Sequence, residues 1–370
     1  MLSFDKNTKI YGSIEMSVLS VLLFPFAVIF RIATGIRNHL YSIGHRRSFQ
    51  FEVPVVNVGN LNIGGSGKTP TIEYLVRLLK KEHAIAILSR GYGRRTRGLR
   101  FATSGDNAST LGDEPFQFYR NFNKEVKVVV GEDRAFAIPN ILQEYPDTSL
   151  ILLDDAYQHR SVNPHLNILL TDFEKPFYAD YLLPMGRLRE GRKGAKRADI
   201  IIVTKCRELI DKETQINVKK EIGRYAGNKP VFFSFIRYGN PQPFQQTNVP
   251  ITSQVVLLSG IAKPQPLEDF VCANFVMIKH FKFKDHHLYT IKDIVQLKNF
   301  INSQTEKPSI LTTEKDMVRL LDPKFSELLL DLNCFFLPIE MDFVENGVEF
   351  DIIVRNAVEK AAVKSNSENE

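Results

Sequence analysis

Cysteine is scarce in this chain of 370 residues: Cys206, Cys272 and Cys334 stand far apart. They form neither the close pairs of a zinc site nor an even disulfide framework, and their usage fits a reducing cytosol. Zinc-finger spacings and the aromatic signatures of RNA-binding folds are absent, so nucleic acid is not an expected partner. The formal charge of +6 suits anionic lipid or phosphorylated substrates instead. No internal repeat occurs, and no obligate protein partner is evident. A full membrane span is also missing. Residues 17–30 are apolar but fall short of the roughly 20 residues that cross a bilayer, and Pro25 would kink them. No convincing small-residue cleavage site follows, so a secretory signal is not expected. The run is bounded by Glu15 and Arg31 and followed by Arg37, Arg46 and Arg47. It reads either as an interfacial anchor on an anionic leaflet or as a buried helix covering a sheet.

What is present is an apolar fraction of 44%, enough for a sizeable core in one large domain or two ordinary ones. The most informative stretch is 53–72. An apolar run, Val-Pro-Val-Val-Asn-Val, leads into a glycine-rich turn, a Lys-Thr pair, and then Ile72, Leu75, Val76 and Leu79 at helical spacing. That is the strand–loop–helix layout of a phosphate-binding P-loop. Gly64, Gly65 and Gly67 leave room for backbone N–H groups to converge on phosphate oxygens. Lys68 is placed to reach the β- and γ-phosphates, and the Thr69 hydroxyl to bind Mg2+. Position 62 is asparagine where the usual pattern has glycine, and Ile63 stands where many variants of this loop carry an extra lysine.

Apolar runs alternate with helical patterns, which predicts an α/β fold built on a mostly parallel, doubly wound sheet. Strands are expected at 52–58, 84–89, 126–130, 149–154, 166–171 and 199–204, with helices at 68–81, 113–121, 133–143 and 211–225. The stretch 239–253 is rich in Pro, Gln and Asn without periodicity and reads as a linker. A smaller α/β lobe is expected beyond it, with strands at 254–259, 275–281, 308–312 and 334–338 and helices at 264–273, 290–303 and 346–361. This divides the chain into an N-terminal helix and basic segment (1–50), a P-loop domain (51–238), the linker, a C-terminal lobe (254–362) and a disordered tail (363–370).

Several constellations carry chemistry. The apolar run ending in Asp154 and Asp155 fits the second P-loop element, whose carboxylate joins the metal shell. Gln158 and His159 follow at the carboxyl edge of the sheet, where α/β ligands bind. Arginines crowd 90–100 and 186–197, suiting either phosphate recognition or a solvated basic surface. Asp113 is either an acidic helix cap or a base near the transferred phosphoryl group. Asp285–His286 is either an oriented acid/base imidazole or a surface pair, and His287 beside it has no assigned role.

Taken in order, these motifs form a set. They are Val-Gly-Asn-Leu-Asn-Ile-Gly-Gly-Ser-Gly-Lys-Thr-Pro (58–70), Ser-Arg-Gly-Tyr-Gly-Arg (89–94), Gly-Asp-Glu-Pro (112–115), Asp-Arg (133–134) and Leu-Asp-Asp-Ala-Tyr-Gln-His (153–159). Leu-Pro-Met-Gly-Arg-Leu-Arg-Glu (183–190), Asp-His (285–286) and Thr-Thr-Glu-Lys-Asp (312–316) complete it. The chain resembles the tetraacyldisaccharide 4'-kinase family, the lipid A 4'-kinases of Gram-negative bacteria, nearly end to end, and Asn62 belongs to that family's pattern. The resemblance implies transfer of the γ-phosphoryl of ATP to the 4'-hydroxyl of an acylated disaccharide 1-phosphate, with Mg2+, at the cytoplasmic face of the inner membrane. It implies that Asp113 is the base, paired with His286 of the second lobe. Lys68, Arg134 and Arg189 would stabilise phosphoryl charge, and Thr69, Asp154, Asp155 and Glu190 would make the metal environment. The loop residues Asn62, Ile63, Gly64, Gly65, Ser66, Gly67, Lys68 and Thr69 would hold the nucleotide, with Tyr92 beside it. The rival reading is a P-loop switch ATPase at the membrane, against which Ile63 and the basic loops argue. Thr204-Lys205-Cys206 resembles an incomplete guanine-reading motif.

Overall fold

The computed structural model describes residues 18–244 and 249–367. Its larger sheet contains β1 (Val55–Asn60), β2 (Ile85–Ser89), β3 (Arg100–Phe101), β4 (Val126–Val130), β5 (Leu150–Asp154), β6 (Leu166–Asp172), β7 (Ile200–Thr204) and β8 (Val231–Tyr238). The second sheet contains β9 (Gln242–Pro243), β10 (Gln254–Ser259), β11 (Val276–Lys282), β12 (Ser309–Thr313) and β13 (Cys334–Leu337). The chain then returns to the first sheet as β14 (Ile339–Phe343), giving nine strands in the order β14-β8-β7-β6-β1-β5-β2-β4-β3. All neighbours in it pair in parallel except the two edge strands, β3 and β14.

The parallel interior explains the near-continuous apolar runs: strands covered by helices on both faces need apolar side chains on both. Along β1 and β5, Val56 and Leu152 face one layer while Val55, Ile151 and Leu153 face the other. The helices are α1 (Val18–Ser42), α2 (Lys68–Leu79), α3 (Ala108–Leu111), α4 (Asp113–Phe122), α5 (Arg134–Glu144), α6 (Lys212–Ala226), α7 (Gln265–Asn274), α8 (Ile291–Asn302), α9 (Glu314–Leu320), α10 (Ser326–Leu329) and α11 (Gly347–Ser367). β1 sits centrally, with β5 on one side and β6 on the other. Its carboxyl end is therefore the topological switch point where ligands bind in such sheets.

Three expected boundaries are corrected. The stretch 239–253 contributes β9, which pairs antiparallel with β13, so it is partly built into the second sheet. The C-terminal lobe does not extend to 362: β14 pairs with β8, and Phe343, Phe350, Val354 and Val358 pack against Val56 and Ile72 in the first core. The physical reason is edge protection. β8, a strand not foreseen in the sequence, would otherwise leave its ladder open, and the alternating Ile339–Phe343 segment covers it. Helix α11 also runs through Ser367, past the start of the expected tail, of which 368–370 lie outside the described residues.

Helix α1 begins within the apolar run 17–30; Ser17 itself lies outside the described residues. Among the described residues no helix is long and apolar enough to cross a membrane. Leu22, Phe24, Phe26, Ile29, Ile32 and Ile36 are all exposed, and Ala27 is buried. The alternative of a buried helix covering a sheet is therefore not what the fold adopts.

Candidate active site

The P-loop is held open by its neighbours. Gly67 has φ +83° and an added Cβ would sit 3.3 Å from Thr204 Cβ, so glycine alone fits without strain. No side chain caps the start of α2, which leaves its first N–H groups for an anion. Ahead of the loop, Asn62 donates to Asp180 Oδ2 at 2.7 Å, and Asp180 also takes Arg187 Nε at 3.0 Å. Ile63 N–H donates to Arg187 O, and Arg189 N–H to Leu61 O, each at 2.7 Å. Asn62 is thus a brace for a short ladder with the 187–189 segment rather than an exposed phosphate contact. On the other side, Thr204 Oγ1 donates to Ser66 O at 2.9 Å, and Lys205 Nζ bonds both Gly65 O and Asp172. The Thr204-Lys205 pair supports the loop.

The end of β5 brings the charges together. Lys68, buried, lies 3.8 Å from Asp155 Oδ2, and Arg189 Nη1 donates to Asp155 Oδ1 and Oδ2 at 2.9 and 3.0 Å. Burial alone would raise the Asp155 carboxyl, but Lys68 and Arg189 outweigh it and hold it below the usual range. Asp154 Oδ2 accepts from Ser89 Oγ at 2.8 Å, while Oδ1 and Ser66 Oγ are buried with no protein partner. Burial, then the charges of Glu114 and Asp155, push Asp154 up to about 7. Ser89 at the end of β2 bonds Asp154, and the Gly91–Tyr92 backbone that follows packs on Gly112, so the start of α4 is held near the end of β5. Among the described residues, no group of three or more His, Cys, Asp or Glu side chains forms a ready cation cage. The sparse set Thr69, Asp154 and Asp155 still suits Mg2+, which keeps most of its waters and takes one or two carboxylates; the orphaned Asp154 oxygen supports that fit.

Two expected site residues sit differently. Glu190 is 0% exposed, and its oxygens accept four bonds: Arg197 at 2.7 and 3.0 Å, Asn38 at 2.8 Å and Gln158 at 3.1 Å. Its acceptor positions are taken by protein donors rather than offered to a metal ion. Arg134 is 2% exposed and donates to the carbonyls of Gly131, Glu132 and Asp154 at 3.0, 3.1 and 3.3 Å. Burial lowers its guanidinium to about 10, opposed by Asp154 and Asp155. The basic stretches are likewise largely paired: Arg94 with Glu132, Arg100 with Asp106, Arg187 with Asp180, Arg197 with Glu190. Arg90, Arg95 and Arg97 remain exposed.

The second lobe closes the crevice through Asp113. Gly112, with φ +96° and Tyr92 O 2.9 Å from where a Cβ would stand, turns the chain so that Asp113 starts α4 against the 90–94 loop. Asp113 Oδ2 accepts from Arg319 Nη2 at 2.7 Å and Nε at 2.8 Å, and lies 3.7 Å from His286 Nδ1. Burial would raise this carboxyl; His286 and Arg319 outweigh it and hold it low. Tyr92, 76% exposed, stands edge-on to the His286 ring at 6.3 Å. Next to it, His287 bonds Asp293 at 3.0 Å and stacks on Phe283, which explains it as a support of the loop. More contacts join α4 to α9: Lys315 with Glu114 at 3.3 Å, and Asn121 with Glu314 at 2.7 Å.

A family profile described as tetraacyldisaccharide-1-P 4'-kinase, LpxK, matches residues 19–358. The chain belongs to the tetraacyldisaccharide 1-phosphate 4'-kinase family. It is 42% identical over 351 residues to the tetraacyldisaccharide 4'-kinase of Flavobacterium psychrophilum, covering 94% of this chain and 99% of that one. It is 39% identical over 344 residues to that of Flavobacterium johnsoniae, covering 92% and 97%. Its fold is similar to the crystal structure of LpxK from Aquifex aeolicus in complex with ATP, with TM-score 0.71, 26% identity, and coverage of 92% of this chain and 100% of that one. This 4'-kinase brings Lys68, Asp154, Asp155 and Arg189 to one edge, with Asp113 and His286 opposing across the lobes. Reading the sequence missed Asp180, Asn38 and Arg319. Arg319 had a signal: it stands three residues past Asp316, on the same helical face.

Proposed function

We propose that the chain uses ATP and Mg2+ to phosphorylate the 4'-hydroxyl of tetraacyldisaccharide 1-phosphate at a membrane surface, in the crevice between the P-loop and Asp113. The observation that carries this reading is the uncapped start of α2, with Lys68 buried beside Asp155 and Arg189, together with the Asp113 carboxylate gripped from the second lobe. The α2 N–H groups and Lys68 would hold the β- and γ-phosphates, and Arg189 would add charge as the phosphoryl group loosens. Thr69, Asp154 and Asp155 would hold Mg2+, which supplies further charge neutralisation when bound. Asp113 would accept the hydroxyl proton as the bond from the 4'-oxygen to phosphorus forms and the bond to the ADP oxygen breaks. His286 borders the acceptor side, and Tyr92 offers an exposed ring beside the nucleotide. Glu190 serves this site indirectly, by fixing Gln158 and Arg197. Arg134 does so by anchoring the end of β5.

Phosphoryl transfer depends on positioning and charge, so charge-removing changes should act on turnover. Lys68→Met and Asp155→Asn are each expected to lower phosphate transfer to the lipid by at least about 100-fold in mixed micelles. Transfer at the wild-type rate in either variant would overturn these roles. The exposed apolar face of α1, with Arg31, Arg46 and Arg47 beside it, supports an interfacial site of action at the cytoplasmic leaflet of the inner membrane.

A further inference from the structure

We propose that Arg319 is the positioning residue of this kinase: it grips Asp113 Oδ2 from the second lobe and aims the other carboxylate oxygen at the acceptor. The proposal rests on the reading of Asp113 as the base. Arg319 belongs to α9 of the second lobe, yet its Nε and Nη2 both reach Asp113 Oδ2, at 2.8 and 2.7 Å. Its third nitrogen, Nη1, donates to Asp316 Oδ1 at 2.9 Å and to Gly260 O at 3.3 Å. Asp316 is itself immovable: it is fully buried, and its Oδ2 accepts from Gly260 N at 2.9 Å and Thr313 Oγ1 at 2.7 Å. The guanidinium plane is therefore fixed from behind and presents one rigid edge across the lobe boundary.

Two consequences follow from donor chemistry. Arginine can only donate, so where Nη2 bonds His286 Nδ1, at 3.3 Å, that nitrogen is the acceptor. His286 Nδ1 also stands 3.7 Å from Asp113, too far for a hydrogen bond, so in this arrangement Arg319 makes the direct contact with the base. With these contacts on Oδ2, Oδ1 is the oxygen left to meet a hydroxyl. The charged groups around Asp113 are Glu114 on its own helix, Lys315, Asp316 and Arg319 on α9, and His286 with Asp285 on the loop after β11. Removing Arg319 takes away a guanidinium that helps hold Asp113 below the usual range, so the carboxylate should titrate at higher pH.

The test is the pH dependence of kcat for lipid phosphorylation in full-length wild type, Arg319→Gln, Arg319→Lys and Asp113→Asn. Arg319→Gln should lower kcat roughly 10–100-fold at neutral pH, move the acid limb of the profile upward, and change KM for ATP by less than about threefold. Arg319→Lys restores charge without the two-pronged grip, so it should return the acid limb but not the full rate. An acid limb unmoved in Arg319→Gln would overturn the proposal, since a purely structural arginine would lower yield or melting temperature and not the profile. If Arg319→Gln does not fold, Arg319→Lys decides: wild-type kcat overturns the proposal, and a tenfold loss with the wild-type acid limb supports it. Substantial activity in Asp113→Asn would instead sink the assignment of the base, whatever Arg319 does.

Discussion

At the scale of single residues, the phosphate-binding loop shows how far a motif carries and where it stops. Its position, and the convergence of Lys68 with Asp155, were legible because strand, glycine turn and helix leave a local pattern. What Asn62 does was not legible, because its partner Asp180 lies more than a hundred positions away and only the folded ladder joins them. The structure assigns Asn62 to bracing, so Asn62→Gly should leave Asp180 short of one donor and cost about 1–2 kcal/mol of stability. Differential scanning fluorimetry checks this, and an unchanged melting temperature would show the brace to be idle. The same reasoning separates Glu190 from Asp155. Both are acids near the sheet edge, but one is saturated by four donors and the other meets Lys68 and Arg189.

At the scale of elements, the junction of α2, α4 and α9 stores a titratable contact. Glu73 on α2 is buried; its Oε1 accepts from Gln117 and Asn121 at 3.0 and 2.9 Å, and Asn121 also bridges to Glu314 of the second lobe. Burial, then the charge of Glu314, raises Glu73 from its ordinary 4.5 to about 8, against the opposing pull of Arg77. A carboxyl raised on folding favours the protonated native state, so its cost to stability is absent below pH 4.5 and grows as pH rises toward 8. Glu73→Gln is therefore expected to be more stable than wild type near pH 8, by roughly 1–3 kcal/mol, with the difference vanishing near pH 4. Urea unfolding at the two pH values measures it, and an equal difference at both would contradict the ionisation. Most helices and central strands were foreseen because buried parallel strands read as apolar runs. β8 and β14 were not, because their pairing is non-local and is set by the need to cover an edge.

At the scale of the whole molecule, the chain crosses between the two sheets twice, after β8 and after β13, so the second lobe is an insertion held at both ends. That double tether, with the α4–α9 seam, presents His286 and Arg319 to Asp113. Helix α1 exposes apolar side chains from Leu22 to Ile36 while its later residues tie into the site: Asn38 donates to Glu190, and Arg37 to Gln158 O at 3.3 Å. Replacing Leu22, Phe26 and Ile29 with serine should abolish co-sedimentation with anionic vesicles and leave melting nearly unchanged, because all three are solvent-exposed. Undiminished binding would place the contact elsewhere. The central claim is that this crevice transfers phosphate to a lipid acceptor with Asp113 as base. The most direct measurement incubates the purified protein with γ-labelled ATP, Mg2+ and tetraacyldisaccharide 1-phosphate in detergent, alongside Asp113→Ala. The account predicts label on the lipid with the wild type and a loss of about 100-fold or more with the variant. ATP hydrolysis without labelled lipid, or equal labelling by the variant, would contradict it.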